Sequence, residues 1–216
     1  MAKKTKQRKK VKKKKWITLL SPKIFGENPF AETLAKEAIE VKGRIIDTQL
    51  SNVTNDMSKQ NIKLKLKVDD VENDKAKTKI VQYELSKSYI QRMVRKRINK
   101  IEIINDLKLK DNKKYRIKTV GITLKKCSVA QKKALRKAIS EEIKKNLSSF
   151  DIDSLIVALS TNKLQREMKN RINKVYPLRF LDVIKISLLK EKKDIIKKPK
   201  KEIKEEKSEK PKEEKS

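Results

Sequence analysis

Cys127 is the only thiol in the chain, and it follows Lys125 and Lys126 just ahead of a helical pattern, a setting that favours the thiolate. A nucleophilic thiolate also needs a base, and the sequence contains no histidine. Cys127 therefore reads as a small residue before a helix, and His-dependent triads and Cys/His zinc sites are excluded. A single cysteine also excludes an intramolecular disulfide. Converging carboxylate pairs could hold two metals in a nuclease. Asp69 and Asp70 would point to opposite faces of an extended strand, Asp151 and Asp153 read as helix-start residues, and Glu141 and Glu142 are neighbours on one helix. No metal site and no catalytic residue is expected from them. Gly26, Gly43 and Gly121 are the only glycines, so neither GxxxxGK[ST] nor GxGxxG can be written, and no cofactor is expected.

The remaining chemistry is that of cations. The chain holds 60 Lys and Arg against 28 Asp and Glu, a formal charge of +32, far beyond what solubility requires. Such a charge calls for a polyanion. The candidate phosphate contacts are Lys12, Lys13, Lys14 and Lys15, then Arg92, Arg95, Lys96 and Arg97, then Lys125, Lys126, Lys132, Lys133, Arg136 and Lys137. Aromatic residues are few and the RNA-recognition-motif signature is absent, so recognition should run through phosphates and shape rather than base stacking on a sheet. RNA is the favoured partner, with a DNA-binding chromatin or regulatory protein as the alternative and an RNA-processing enzyme behind it.

Several elements must position these residues. Ser128–Leu147 predicts a helix, with Ser128 and Gln131 at capping-box spacing and an inward stripe of Ala130, Ala134, Leu135, Ala138, Ile139, Ile143 and Leu147. Its other side would carry the Lys132–Lys137 ridge. Ser88 and Gln91 repeat the spacing, and Ile90, Val94 and Ile98 predict a second helix presenting Arg92–Arg97. Strict alternation makes 62–68 a strand, with Lys63, Lys65 and Lys67 on its wet face. Further strands are predicted at 44–50, at 77–85 with Val81, Tyr83 and Leu85 on one face, and at 101–110 and 115–124 as a hairpin. In the last of these a phase change suggests a bulge near Gly121. Two short helices near 153–159 and 163–175 precede a final strand at 180–189, with Phe180, Ile184, Ile186 and Leu188 on one side. Residues 21–35, with Pro22, Gly26 and Pro29, read as an ordered loop. Trp16 reads as an anchor in the core, with stacking on a base as the other possibility.

Residues 1–15 are a nearly continuous basic arm and 191–216 a Lys/Glu-rich tail, both too polar to fold alone; 16–190 reads as one globular domain. No apolar run approaches the roughly 18 residues of a spanning helix, and the apolar stretch after the arm is too short for a signal peptide. A cytoplasmic protein is expected.

The order of segments resembles a known family. KKKKW at 12–16, SPKIFGENPFAET at 21–33, KGRIIDTQLSNVTND at 42–56, SKQNIKLKLKV at 58–68, ELSKSYIQRMVRKR at 84–97, YRIKTVGITLKK at 115–126, SVAQKKALRKAI at 128–139 and VYPLR at 175–179 are similar to the archaeal and eukaryotic small-subunit ribosomal protein family S-three-A-e, eS-one in the unified naming. The resemblance implies an α+β fold with a mixed, largely antiparallel, barrel-like sheet and flanking helices. It further implies a ribosome-associated, non-enzymatic protein bound to small-subunit rRNA on the platform, near the rRNA 3′ end and the messenger exit, beside other platform proteins. The chain's length points to an archaeal source. The likeness runs roughly from Lys12 to Lys190; the start of the lysine run and the Lys/Glu tail lie outside it.

Overall fold

The computed structural model describes residues 13–189. Residues 1–12, most of the basic arm, and the tail beyond 189 lie outside it. Eight strands and six helices make a mixed α+β architecture whose sheet is mostly antiparallel and open. The strands are β1 (Lys15–Leu20), β2 (Pro29–Ala35), β3 (Ile45–Gln49), β4 (Ile62–Glu72), β5 (Lys75–Leu85), β6 (Lys100–Lys108), β7 (Lys114–Thr123) and β8 (Leu178–Leu188). The helices are α1 (Ala38–Val41), α2 (Leu50–Thr54), α3 (Lys87–Met93), α4 (Val129–Leu147), α5 (Ile152–Ser160) and α6 (Lys163–Ile172).

Strand β5 is where the sheet divides. One of its edges pairs along its length with β4, which in turn carries β3. The other edge is shared: Lys75–Lys77 take β1 in parallel, whereas Gln82–Glu84 take β8 antiparallel. Strand β2 extends the first branch, and β7 and β6 extend the second. Thr78 seals the fork by donating its hydroxyl to the Leu20 carbonyl at 2.7 Å. The two branches bury separate clusters. The smaller contains Ile17, Leu19, Ala35, Val41, Val68 and Ala76; the larger gathers the apolar faces of β4–β8 under α2 to α6.

Several sequence expectations need correction. Residues 21–35 are not loop throughout: Lys23–Phe25 form a 3-10 turn closed by Gly26 at φ 90°, which a side chain would strain, and β2 then pairs with β1. Trp16 is not a core anchor, being 63 % exposed; Ile17 and Leu19, which share the opposite face, are the buried residues. The predicted second helix stops at Met93, so Val94 and Ile98 form no helical stripe, and Ser88 lies inside α3 while Ser86 takes the N-cap without a side-chain cap bond. In β5 a register shift opposite Lys65/Leu66 sets Val81 aside as an extra residue, and Ile80 packs on the core instead.

The hairpin of β6 and β7 is regular from Lys100↔Ile122 to Lys108↔Lys114, so no bulge occurs at Gly121 against β6. The apolar phase change has another cause: Thr119 to Thr123 are all buried, because this half of β7 is covered on both faces. The irregularities lie in its pairing with β8, which skips Ile184 and Arg179. Consequently the final strand buries Leu181, Asp182, Val183 and Ile186, and Leu188 is exposed rather than inward.

Candidate nucleic-acid interface

The capping box predicted for α4 is present. Gln131 N–H donates to the Ser128 hydroxyl at 3.3 Å, and Ser128 N–H donates to Gln131 Oε1 at 2.9 Å. The buried stripe is narrower than predicted: Leu135, Ile139, Ile143 and Leu147 pack inward, Ala138 is half-buried, and Ala130 and Ala134 are exposed. The first turn of α4 therefore projects past the sheet. In the next turns of the helix Lys133, Arg136 and Lys137 are exposed, and Lys132 is half-buried. The helix lies close over β7: a Cβ built on Gly121 would meet Ile139 Cδ1 at 3.1 Å.

The other basic residues reach the same end of the molecule by hydrogen bonding around Asn99. Thr123 N–H donates to the Asn99 carbonyl at 3.1 Å, Asn99 N–H to Thr123 Oγ1 at 3.0 Å, and Cys127 N–H to Asn99 Oδ1 at 3.3 Å. Thr123 Oγ1 also donates to the Lys125 carbonyl at 2.7 Å, and the Tyr176 hydroxyl to that of Lys126 at 3.3 Å. These contacts hold the exposed loop Arg95–Lys96–Arg97 against the turn bearing Lys125 and Lys126, directly before α4. Arg97 is in the left-handed region, φ 64°, which turns the loop back toward β6. Buried Cys127 thus serves the turn as a packed residue, as expected.

Arg92 ends α3 nearby. Its guanidinium donates to Asn61 Oδ1 at 3.2 Å and lies 5.7 Å from the centre of the Tyr89 ring, and that ring meets Phe180 edge-on at 5.8 Å. Phe180 pairs with Ile122, so α3 sits beside the same end of β7. What the sequence presented as two separate helical ridges is one cationic surface built from a helix end, a loop, a turn and a helix start. Lys13, Lys14 and Lys15 are exposed but lead into β1, on the other branch of the sheet, and no strand pairing joins them to this surface. Lys12 lies outside the described residues.

Electrostatics separates this surface from the β3–β5 region. There several lysines face acids: Lys65 with Asp47 at 3.1 Å, Lys42 with Asp70 at 2.6 Å, Lys79 with Asp69 at 2.5 Å and Lys77 with Glu72 at 2.8 Å, whereas Lys63, Lys67 and Lys75 have no such pair among the described residues. Asp69 and Asp70 are thereby ion-pair partners, as neighbours on opposite faces of β4. The pairing pulls the Asp69 carboxyl below its ordinary value, mainly through the hydrogen bond from Lys79, and lifts the Lys42 and Lys79 ammonium groups. By contrast, Arg92, Arg95–Arg97, Lys125, Lys126, Lys132, Lys133, Arg136 and Lys137 have no acidic partner among the described residues. Cations left unpaired at one place are available to phosphate.

Helix α6 contributes cations that sequence reasoning did not single out. Arg166 is exposed on it, and Lys169 donates to the Arg179 carbonyl at 2.9 Å. Arg171 is engaged with Asn146 and Glu142 of α4. The signal was present in the alternation of Leu164, Met168 and Ile172 with Arg166, Lys169 and Arg171, the same amphipathic pattern that identified α4. No group of three potential metal ligands occurs among the described residues.

The Ribosomal S3Ae family matches residues 2–192. Curated relatives named small ribosomal subunit protein eS1 include that of Archaeoglobus fulgidus, 37 % identical over 180 residues, 82 % of this chain and 85 % of the relative. The eS1 of Methanothrix thermoacetophila is 34 % identical over 180 residues, 83 % of this chain and 85 % of the relative, and that of Staphylothermus marinus 31 % over 182 residues, 84 % and 86 %. The match runs through the basic turn, the capped α4 and the branched sheet alike, and the chain belongs to the Ribosomal S3Ae family.

Proposed function

We propose that this chain is a structural constituent of the small ribosomal subunit, seated on rRNA by the cationic surface where α3, the 95–97 loop, the 125–126 turn and the start of α4 meet. The observation that carries this reading is the concentration of unpaired Lys and Arg at one hydrogen-bonded corner, in a chain of a ribosomal protein family. Phosphate oxygens are the complementary groups, since a rigid corner fixes the spacing of its cations without further ordering cost. Residues 1–15, including Lys12–Lys15, act as a second rRNA-binding arm reaching from the β1 branch, 16–190 as the folded unit and 191–216 as a solvated tail. The family resemblance supports a seat in the cytoplasm on the platform, near the rRNA 3′ end and the messenger exit, among neighbouring platform proteins.

The test is sedimentation of a native lysate through sucrose gradients at moderate and high salt, with the chain followed by mass spectrometry. Co-migration with the small subunit at one copy per particle, surviving the salt wash, is expected. The double variant Arg95→Glu, Arg136→Glu should fold normally by circular dichroism and leave the subunit fraction. Unchanged incorporation of that variant would overturn the assigned surface, and duplex DNA competing as well as rRNA for the isolated chain would overturn the RNA reading.

A further inference from the structure

The only tryptophan in the chain stands on the solvent face of β1. Trp16 is 63 % exposed, and across the β1–β2 ribbon it pairs with Leu34, itself 41 % exposed. An indole is seldom left this open in a folded protein. The fold does not need the ring, because Ile17 and Leu19 supply the buried face of β1. The ribbon is paired from Lys15↔Ala35 to Leu20↔Pro29, so ring and leucine form a shelf whose place is set before anything binds. Charge around the shelf has a direction. Lys13, Lys14 and Lys15 are exposed, run straight into Trp16 and have no acidic partner among the described residues. On the β2 side the Arg44 guanidinium donates to the Leu34 carbonyl at 3.4 Å and to the Thr33 hydroxyl. The acid on the same face, Glu32, pairs with Thr18, one rung farther from the lysines. Glu40 accepts the Lys36 N–H at 3.1 Å, and Glu37 is likewise engaged. An open apolar shelf with cations leading up to it fits a ligand that is flat and apolar on its faces and anionic at its edge.

We propose that Trp16 and Leu34 form a stacking shelf for one unpaired base of single-stranded RNA, whose flanking phosphates lie along Lys13–Lys15 and Arg44. Stacking on an aromatic ring tolerates any base, since every base has a π-face, and lysines beside the ring hold the backbone. A duplex offers no such face along its length, so the shelf selects unpaired RNA. The inference rests on the reading of the chain as an RNA-binding protein, and adds a base contact to an arm otherwise confined to phosphates.

The test uses the full chain, in which tryptophan emission comes from Trp16 alone. Oligoadenylate and oligouridylate octamers should quench that emission as they bind. Inorganic polyphosphate of matched charge should bind and leave it nearly unchanged, and a short blunt RNA duplex, whose bases are already stacked, should quench far less. Quenching by polyphosphate or duplex as strong as by the octamers would overturn the proposal. Anisotropy of a labelled octamer then compares variants. Trp16→Leu should weaken binding about tenfold with the salt dependence unchanged, because no cation is lost, and Trp16→Phe should keep most of the affinity. Wild-type affinity in Trp16→Leu would count against the shelf. In intact small subunits, hydroxyl-radical oxidation of Trp16 should be low and rise after nuclease digestion. Protection that survives digestion would identify a protein neighbour as the cover and overturn the proposal, as would full oxidation in the intact subunit. Octamers that saturate the chain with Trp16 unquenched would overturn the shelf alone, whereas a chain that binds no RNA overturns the reading beneath it.

Discussion

Asp182 is the residue with the sharpest physical signature. Burial pushes its carboxyl up to about 6, and hydrogen bonds from Gln165 and the Val183 N–H only partly offset this. The groups around it are Gln165, the rings of Tyr83 and Tyr89, and the cations Arg166, Lys169 and Arg179 along the cleft between α3, α6 and β8. An acid raised in the folded state binds its proton more tightly there than when unfolded, so this group's contribution to stability is present at low pH and is lost as pH rises from about 4 to about 6. Thermal unfolding across that interval should show this downward slope, and Asp182→Asn should remove it and leave the protein more stable at pH 7 by up to a few kcal/mol. An unchanged slope in the variant would assign the titration elsewhere. At the opposite extreme, Leu135→Asp puts an unpaired charge into the main core beneath α4 and should cost about 3–5 kcal/mol, read as loss of the cooperative unfolding transition.

Helix α4 depends on two local devices. The capping box satisfies its first N–H groups, so Ser128→Ala should lower stability by about 1 kcal/mol in chemical denaturation and fray the turn that displays Lys132 and Lys133. Gly121 lets the helix lie against β7; Gly121→Val crowds Ile139 and should cost roughly 1–3 kcal/mol, with α4 amides exchanging faster in hydrogen-exchange measurements. Equal exchange in wild type and variant would mean that Ile139 rotates away freely. Helix α3 has neither device: no side chain caps Ser86, and Arg92, Arg95, Lys96 and Arg97 would crowd like charges within two turns if the helix continued. The pairing of Lys100 with Ile122 then draws the chain out into β6.

At the level of the whole molecule, charge is sorted rather than uniform. Lys65, Lys77 and Lys79 of β4 and β5 are paired with facing acids, and the cations at the corner of α3, β6–β7 and α4 are not. Binding of the isolated chain to rRNA should therefore weaken steeply with salt. Its log–log slope should fall by about 1 for each of Arg95 and Lys126 replaced by Ala, whereas Lys65→Ala should leave it nearly unchanged. Fluorescence anisotropy over a salt series checks both; equal slopes for the two sets would mean that the positive field, not the corner, is what RNA reads. Surface pairs such as Lys65–Asp47 contribute little to stability, so the control should also unfold like the wild type.

Periodicity alone determined that α4 exists, where it is capped, which side of its second half is buried, and that 62–68, 101–110 and 115–124 are strands, because those patterns arise from contacts within a turn or across one hairpin. Net charge alone pointed to a polyanion as the partner. Only the tertiary structure decided the rest. Residues 29–35 became a strand because β1 lies beside them, Trp16 turned outward because Ile17 and Leu19 took the buried face, and the irregularity expected near Gly121 fell in the pairing of β7 with β8, where burial on both faces also blurs the alternation. The cationic surface was legible as residues and illegible as a place: Asn99 and Thr123 join segments 24 residues apart, and no local pattern encodes which loop a single asparagine will hold. Asp182 stood in an apolar alternation with Phe180 and Ile184, yet whether it faced water or a cleft depended on α6 bringing Gln165 to its side.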